Sequence, residues 1–194
     1  MIFLLIVTFG SVIVIKYNHL KKIRLEEISQ YLAEHYSEEM IIEDVVVVDN
    51  NALCYWADKS DLIFNVLFWV NQNRYMDTYL ENCLIDEAEK LIQKQLEDRY
   101  SDVKCYISTV GPPLEQYDRL YDFYKQSGRP LSWYDEECNE KVFYMTVKVN
   151  SDLLDENDAN EIINSIKELP IHFGKGCIIV EDVGGNEILR INNN

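Results

Sequence analysis

The residue types that usually carry chemistry occur in this chain, but their spacing does not assemble them. Three histidines, His19, His35 and His172, lie far apart with no H-E-x-x-H, and five cysteines, Cys54, Cys83, Cys105, Cys138 and Cys177, stand singly with no C-x-x-C. Zinc therefore has no visible ligand set. The carboxylate-rich stretch "NSDLLDENDANE" lacks the alternate spacing, turn glycine and closing Glu of a calcium loop. A helix start capped by Asp158, with Glu161 three residues on, accounts for it better. Neither a metal nor a cofactor is expected. No G-x-S-x-G occurs, no cysteine has a histidine partner close in sequence, and Cys138 sits among Glu136, Glu137 and Glu140, whose field disfavours a thiolate. "FGKGC" precedes a strand instead of opening a helix, so it offers no phosphate cradle.

Two groups of residues remain as candidate sites. Asp77 with Tyr79 stands at the start of a long helix; the plainer account makes Asp77 a charge favoured by the helix N-terminus and Tyr79 a core residue. In "RPLSWYDEECNEK", Trp133 and Tyr134 lie in an acidic loop, next to a helix that places Tyr117, Tyr121 and Tyr124 on one stripe. Aromatic side chains beside charge are the material of interface hot spots. The alternative is that Trp133 folds back over the sheet and anchors its loop. With no local catalytic motif, the sequence favours a binding or interaction protein that is not an enzyme. An immunity- or inhibitor-type protein that neutralises a basic partner is the alternative, and an enzyme whose site forms only in three dimensions is a second.

Charge narrows the partners. The chain carries a net charge of -16, with a pI of about 4.5. All of Lys16, Lys21, Lys22 and Arg24 precede the first acidic residue, so from residue 25 onward 14 cations face 34 acids. A body this acidic repels phosphate backbones, which argues against nucleic acid; the charge suits solubility at a crowded surface, or a basic protein partner. The cysteines fit buried free thiols; a Cys54–Cys105 disulfide is left open by spacing alone.

The elements that must position these residues begin with "MIFLLIVTFGSVIVI". This run is uncharged and apolar on every helical face, through Ile2, Phe3, Leu4, Leu5, Ile6, Val7, Phe9, Val12, Ile13, Val14 and Ile15. It lacks a small-residue cleavage context, so a removed signal peptide is disfavoured. The expectation is a single-pass transmembrane anchor over 1–17, in contact with the bilayer, extended by Lys16 and Tyr17 at the headgroups. Four cations after the span favour a cytoplasmic body by the positive-inside rule.

Beyond the anchor, Leu25, Ile28, Leu32 and His35 or Tyr36 recur at helical spacing. "IIEDVVVVDN", "ALCYWAD" and "LIFNVLFWV" predict a three-strand antiparallel meander, the last strand covered on both faces because it is nearly all apolar. A helix over about Tyr75–Tyr100 follows, with Leu80, Leu84, Ala88, Leu91, Ile92 and Leu96 on one side, then the strand "DVKCYISTV". Gly111-Pro112-Pro113 marks a boundary. The second half predicts the tyrosine helix, the strand "KVFYMTVKV", a helix over roughly 156–169, and a hairpin turning at Gly184-Gly185-Asn186. The expected fold class is α+β: an N-terminal membrane helix, then an antiparallel sheet with helices packed on one face. The expected domains are the anchor 1–17, an α-β-β-β-α-β unit over 18–110, and an α-β-α-β-β unit over 111–194 that could pack with it as one.

Through "YLAEHYSEEM" and "MDTYLENCLIDEAEKLIQKQLEDRY", residues 1–110 resemble small Gram-positive bacterial proteins with one N-terminal span and a cystatin-like or NTF2-like body. The resemblance implies a membrane-tethered body outside the cell, against the charge rule, and brings no catalytic residues. The side of the membrane therefore stays open.

Overall fold

The computed structural model describes residues 2–100, 103–109, 114–139, 143–151, 154–171 and 173–193; the side chains of 1–13, 108–116, 139–153, 172–176 and 193–194 lie outside the description. The chain divides into two units, Met1–Tyr79 and Leu80–Asn194. The boundary anticipated near 110 thus falls inside the second unit, and Gly111-Pro112-Pro113 lies outside the described residues.

The first unit opens with one continuous helix, α1 (Ile2–His35). Strands β1 (Met40–Val46), β2 (Asn51–Trp56), β3 (Lys59–Trp69) and β4 (Arg74–Asp77) follow as an antiparallel sheet in sequential order. Asn50 and Asn73 take left-handed backbone angles at the β1–β2 and β3–β4 turns, a conformation that asparagine tolerates better than most residues. β3 alternates: Leu62, Phe64 and Val66 are buried, while Ile63 and Leu67 are 49% and 41% exposed. The expectation that both faces of this strand are covered is therefore corrected. Period-two geometry, and not the unbroken apolar run, decides which side chains lie inside. Ile28, Tyr31 and Leu32 of α1, with Tyr36 just past its end, join the core, whereas Leu25 is 41% exposed.

The expected anchor is corrected as well. Among the described residues no helix is long and apolar enough to cross a membrane. Of the anchor residues, Ile2, Phe3, Leu4, Leu5, Ile6, Val7, Phe9, Val12 and Ile13 have side chains outside the description; Val14 and Ile15 are exposed. The physical reason lies in length and in charge. The apolar run stops at Ile15, about 23 Å of helix against a hydrocarbon core of about 30 Å. The same helix then runs on through cations held by protein carboxylates: Lys21 pairs with Asp44 at 2.9 Å, and Arg24 pairs with Glu27. The single-pass location, the bilayer contact and the sidedness inferred from those cations rested on the anchor and are withdrawn with it.

The second unit comprises α2 (Tyr79–Glu97, whose first residue closes the first unit), β5 (Lys104–Thr109), α3 (Leu114–Ser127), β6 (Phe143–Ser151), α4 (Glu156–Lys167), β7 (Phe173–Asp182) and β8 (Glu187–Asn193). Its sheet has the order β5-β6-β7-β8, with β6 and β7 parallel and the outer pairs antiparallel. The single antiparallel sheet that was expected is thus replaced by two, the second of them mixed. The connection explains it: α4 lies between β6 and β7, and a crossover helix returns the chain parallel. α4 buries Ala159, Ile162, Ile163 and Ile166 and packs on β7 and β8. Its cap is Asp155, not Asp158. The Asp155 carboxylate accepts from the N–H groups of Asn157 and Asp158, and Asp158 returns the bond to the N–H of Asp155.

Candidate functional site

In the first unit Asp77 is 6% exposed and Tyr79 fully buried. Tyr31 donates its hydroxyl to Asp77 Oδ2 at 2.6 Å, Tyr36 donates to both carboxylate oxygens at 2.9 Å, and the N–H of Tyr79 donates to Oδ1 at 2.9 Å. Burial pushes the Asp77 carboxyl above its ordinary range, opposed by these three donors and by nearby His35. The His35 ring lies 4.1 Å from that of Tyr31. Tyr36, Trp56 and Phe64 pack around Tyr79. The candidate pair Asp77 and Tyr79 is therefore brought together, inside a closed aromatic knot that joins the end of α1 to the end of β4.

The aromatic loop of the second unit is also turned inward. Trp133 is 2% exposed; its indole Nε1–H donates to the carbonyl of Leu84 at 2.7 Å and its backbone N–H donates to Glu87 at 3.0 Å. Ser132 Oγ donates to the other oxygen of Glu87 at 2.6 Å, and Arg129 clamps Asp135 through two bonds of 2.8 and 2.6 Å. Tyr117 and Tyr124 are buried, Tyr121 is half-buried and stacks on Tyr117, and Tyr134 is 68% exposed. Of the five aromatic residues offered as a binding surface, Tyr134 alone stands fully in solvent.

Sequence reasoning missed a cleft of about 500 Å³ at the end of α2. Gln93 and Glu97 of α2, one helical turn apart, line it, as do Tyr100, Val103 and Lys104, Cys105 and Tyr106 of β5. Buried Leu96 fixes the end of the helix, its carbonyl accepting from the N–H groups of both Arg99 and Tyr100 at 3.0 Å. One turn before Gln93 on the same stripe, Glu89 accepts the backbone N–H of Ile107 at 2.7 Å. The signal was present as Glu89, Gln93 and Glu97 at i, i+4, i+8, followed by two tyrosines around a turn.

Glu97 and Lys104 are the charged residues of the lining, and acids outnumber bases among the charges that act on Tyr100. Partial burial raises the Tyr100 phenol above its usual range; Glu161, Asp158 and Asp155 at the start of α4 add to that, with Arg99 opposing. Arg99 is 3.7 Å from Glu161. Burial, reinforced by Glu89, pushes the Cys105 thiol up to about 12, so it is protonated at neutral pH and a poor nucleophile. Burial does the same to Cys54 and Cys138, each up to about 12. All five cysteines are free thiols. Among the described residues no group of three His, Cys, Asp or Glu side chains gathers that could hold a metal ion; His172 lies outside the description.

No family model matches the chain, and no curated protein matches it. A solved structure similar to it is that of a DUF5037 family protein from Ruminococcus gnavus ATCC 29149, 16% identical over 80% of this chain and 73% of that one, with a TM-score of 0.48. A likeness of that degree carries no function across. The resemblance of residues 1–110 to membrane-anchored cystatin-like or NTF2-like proteins is corrected: no family model supports it, and those residues do not close on themselves, because β5 pairs with β6 of the second unit.

Proposed function

We propose that this chain is a binding domain without a catalytic step, whose cleft between α2 and β5 receives a basic side chain of a protein partner. The observation that supports the reading is the charge balance at Tyr100, where three carboxylates at the start of α4 and its cap act against one guanidinium at the wall of the cleft. A Lys or Arg side chain suits it. Its aliphatic stem covers the tyrosine faces and its charged head meets Glu97, with the cation–ring attraction adding to the charge pair. Lys104 is the opposing charge in the lining.

The two lining charges give the test opposite signs. Titration of the full chain with a lysine-rich peptide, followed by calorimetry at low salt, should show binding that a glutamate-rich peptide does not. Glu97→Gln should weaken that binding about threefold and Lys104→Gln should tighten it by a similar factor, as expected for exposed charges. Equal affinities for the two variants would remove the cleft as the site.

A further inference from the structure

We propose that the partner enters the cleft as an extended segment that adds to the free edge of β5, becoming a fifth strand of the second sheet. This rests on the binding reading above and specifies its mode. Among the described residues β5 is an outer strand, hydrogen-bonded to β6 on one side only. The backbone N–H of Ile107 leaves the sheet toward Glu89, so it points away from β6. Strand geometry repeats every two residues, and in an antiparallel pair the N–H and C=O of one residue point the same way. Cys105 therefore directs its backbone N–H and C=O to the same outer edge, and Cys105 lines the cleft.

An incoming strand would accept from the N–H of Cys105 and donate to its carbonyl, the main-chain pairing by which extended peptides dock on sheet edges. Glu89 defines where the addition stops, because it already holds the N–H of Ile107. From Val103 to Ile107 the strand rises about 13 Å, room for a segment of about four residues. The side chain beside Cys105 falls between Gln93 and Glu97 of α2 and the two tyrosines, within reach of the Glu97 carboxylate. The occupant is thus a short extended segment that carries Lys or Arg and no acid. Glu89 and Glu97 of α2 also guard this edge against indiscriminate pairing, since an acidic strand meets like charge there and a neutral one gains no charge pair.

The test uses the full chain and an acetylated, amidated hexapeptide of alternating Thr and Lys. Two further versions are N-methylated, one at the Thr amides and the other at the Lys amides. Strand addition uses the N–H groups of one set only, so one version should bind about tenfold more weakly than the parent and the other close to it. If both methylated peptides bind as the parent does, strand addition is wrong and the cleft reading stands. If the parent itself fails to bind, the cleft reading falls and this inference falls with it.

Discussion

Tyr31 and Asp77, 46 residues apart, are joined by a buried hydrogen bond of 2.6 Å that ties the end of α1 to the end of β4. Tyr36 and the N–H of Tyr79 donate to the same carboxylate. Asp77→Ala would leave three donors without this acceptor, at about 1–3 kcal/mol for each donor left unsatisfied. Thermal melting should show a large fall in Tm for Asp77→Ala and a smaller one for Asp77→Asn, which keeps an acceptor oxygen. Equal Tm values for Asp77→Ala and the parent would remove Asp77 from the core of this unit.

The same carboxyl should leave a signature in pH. Burial raises it in the folded state, so the stability it contributes is fully present below the unfolded value of 3.8 and is lost as pH rises through the folded value. Tyr31 and His35 on α1, Tyr36 just past its end, Cys54 on β2 and Tyr79 face it. Asp77→Asn has no such proton to lose. Urea denaturation from below pH 3.8 up to neutral pH should show the parent losing stability relative to Asp77→Asn as pH rises above 3.8. A constant difference would contradict the raised value.

Trp133 should act through folding. Truncation to alanine empties a buried site and should cost about 3–5 kcal/mol, whereas Trp133→Phe keeps most of the ring and loses the donor to Leu84, at about 1 kcal/mol. Glu87→Ala releases both Ser132 and the Trp133 N–H and should fall between the two. Chemical denaturation ranks the three variants. If Trp133→Ala melts like the parent, the indole is not the anchor of its loop.

The contrast between the two tyrosine-rich sites shows what a single sequence exposes. Leu80, Leu84, Ala88, Ile92 and Leu96 were legible as the buried side of α2, because helical period needs only neighbours in sequence. The meander of β1, β2 and β3 was legible from turn residues, and so was the hairpin of β7 and β8. β4 was not. Its four residues follow a short helical turn over Val70–Gln72, and their apolar content merges with that of the coming helix. The partners of Asp77 lie 41 and 46 residues away, a relation that no spacing encodes. The parallel pairing of β6 and β7, where an antiparallel sheet was expected, depends on α4 acting as a crossover, a relation among three elements that none of their separate patterns carries. Trp133 stood among acids in sequence, yet Ser132, Asp135 and Glu87 use those charges to hold the loop inward.

The thiols give a test of burial that does not involve binding. With Cys54, Cys105 and Cys138 each near 12, only about one thiol in ten thousand is ionised at pH 8. Iodoacetamide labelling of the native chain, read by peptide mass spectrometry, should leave these three unmodified over a time in which the guanidinium-unfolded chain is labelled at all five. Rapid native labelling of Cys105 would place it in solvent and open the cleft wall that it forms.

Asp155 separates stability from recognition in one side chain. It caps α4 through bonds of 2.8 and 2.9 Å to the N–H groups of Asn157 and Asp158, and its charge also acts on Tyr100. Alanine removes both roles; asparagine caps nearly as well as aspartate but carries no charge. Asp155→Ala should lose about 1 kcal/mol of stability, and Asp155→Asn only a few tenths. Both should lower the Tyr100 phenol toward its ordinary value in an ultraviolet titration, because one of its three raising carboxylates is gone. Both should also weaken the lysine-rich peptide to the same degree, about twofold at low salt. That loss should shrink as added salt shortens the screening length toward about 8 Å. If peptide affinity instead follows stability, falling for Asp155→Ala and holding for Asp155→Asn, the helix start matters to the cleft through its shape, and the field argument for a basic occupant fails.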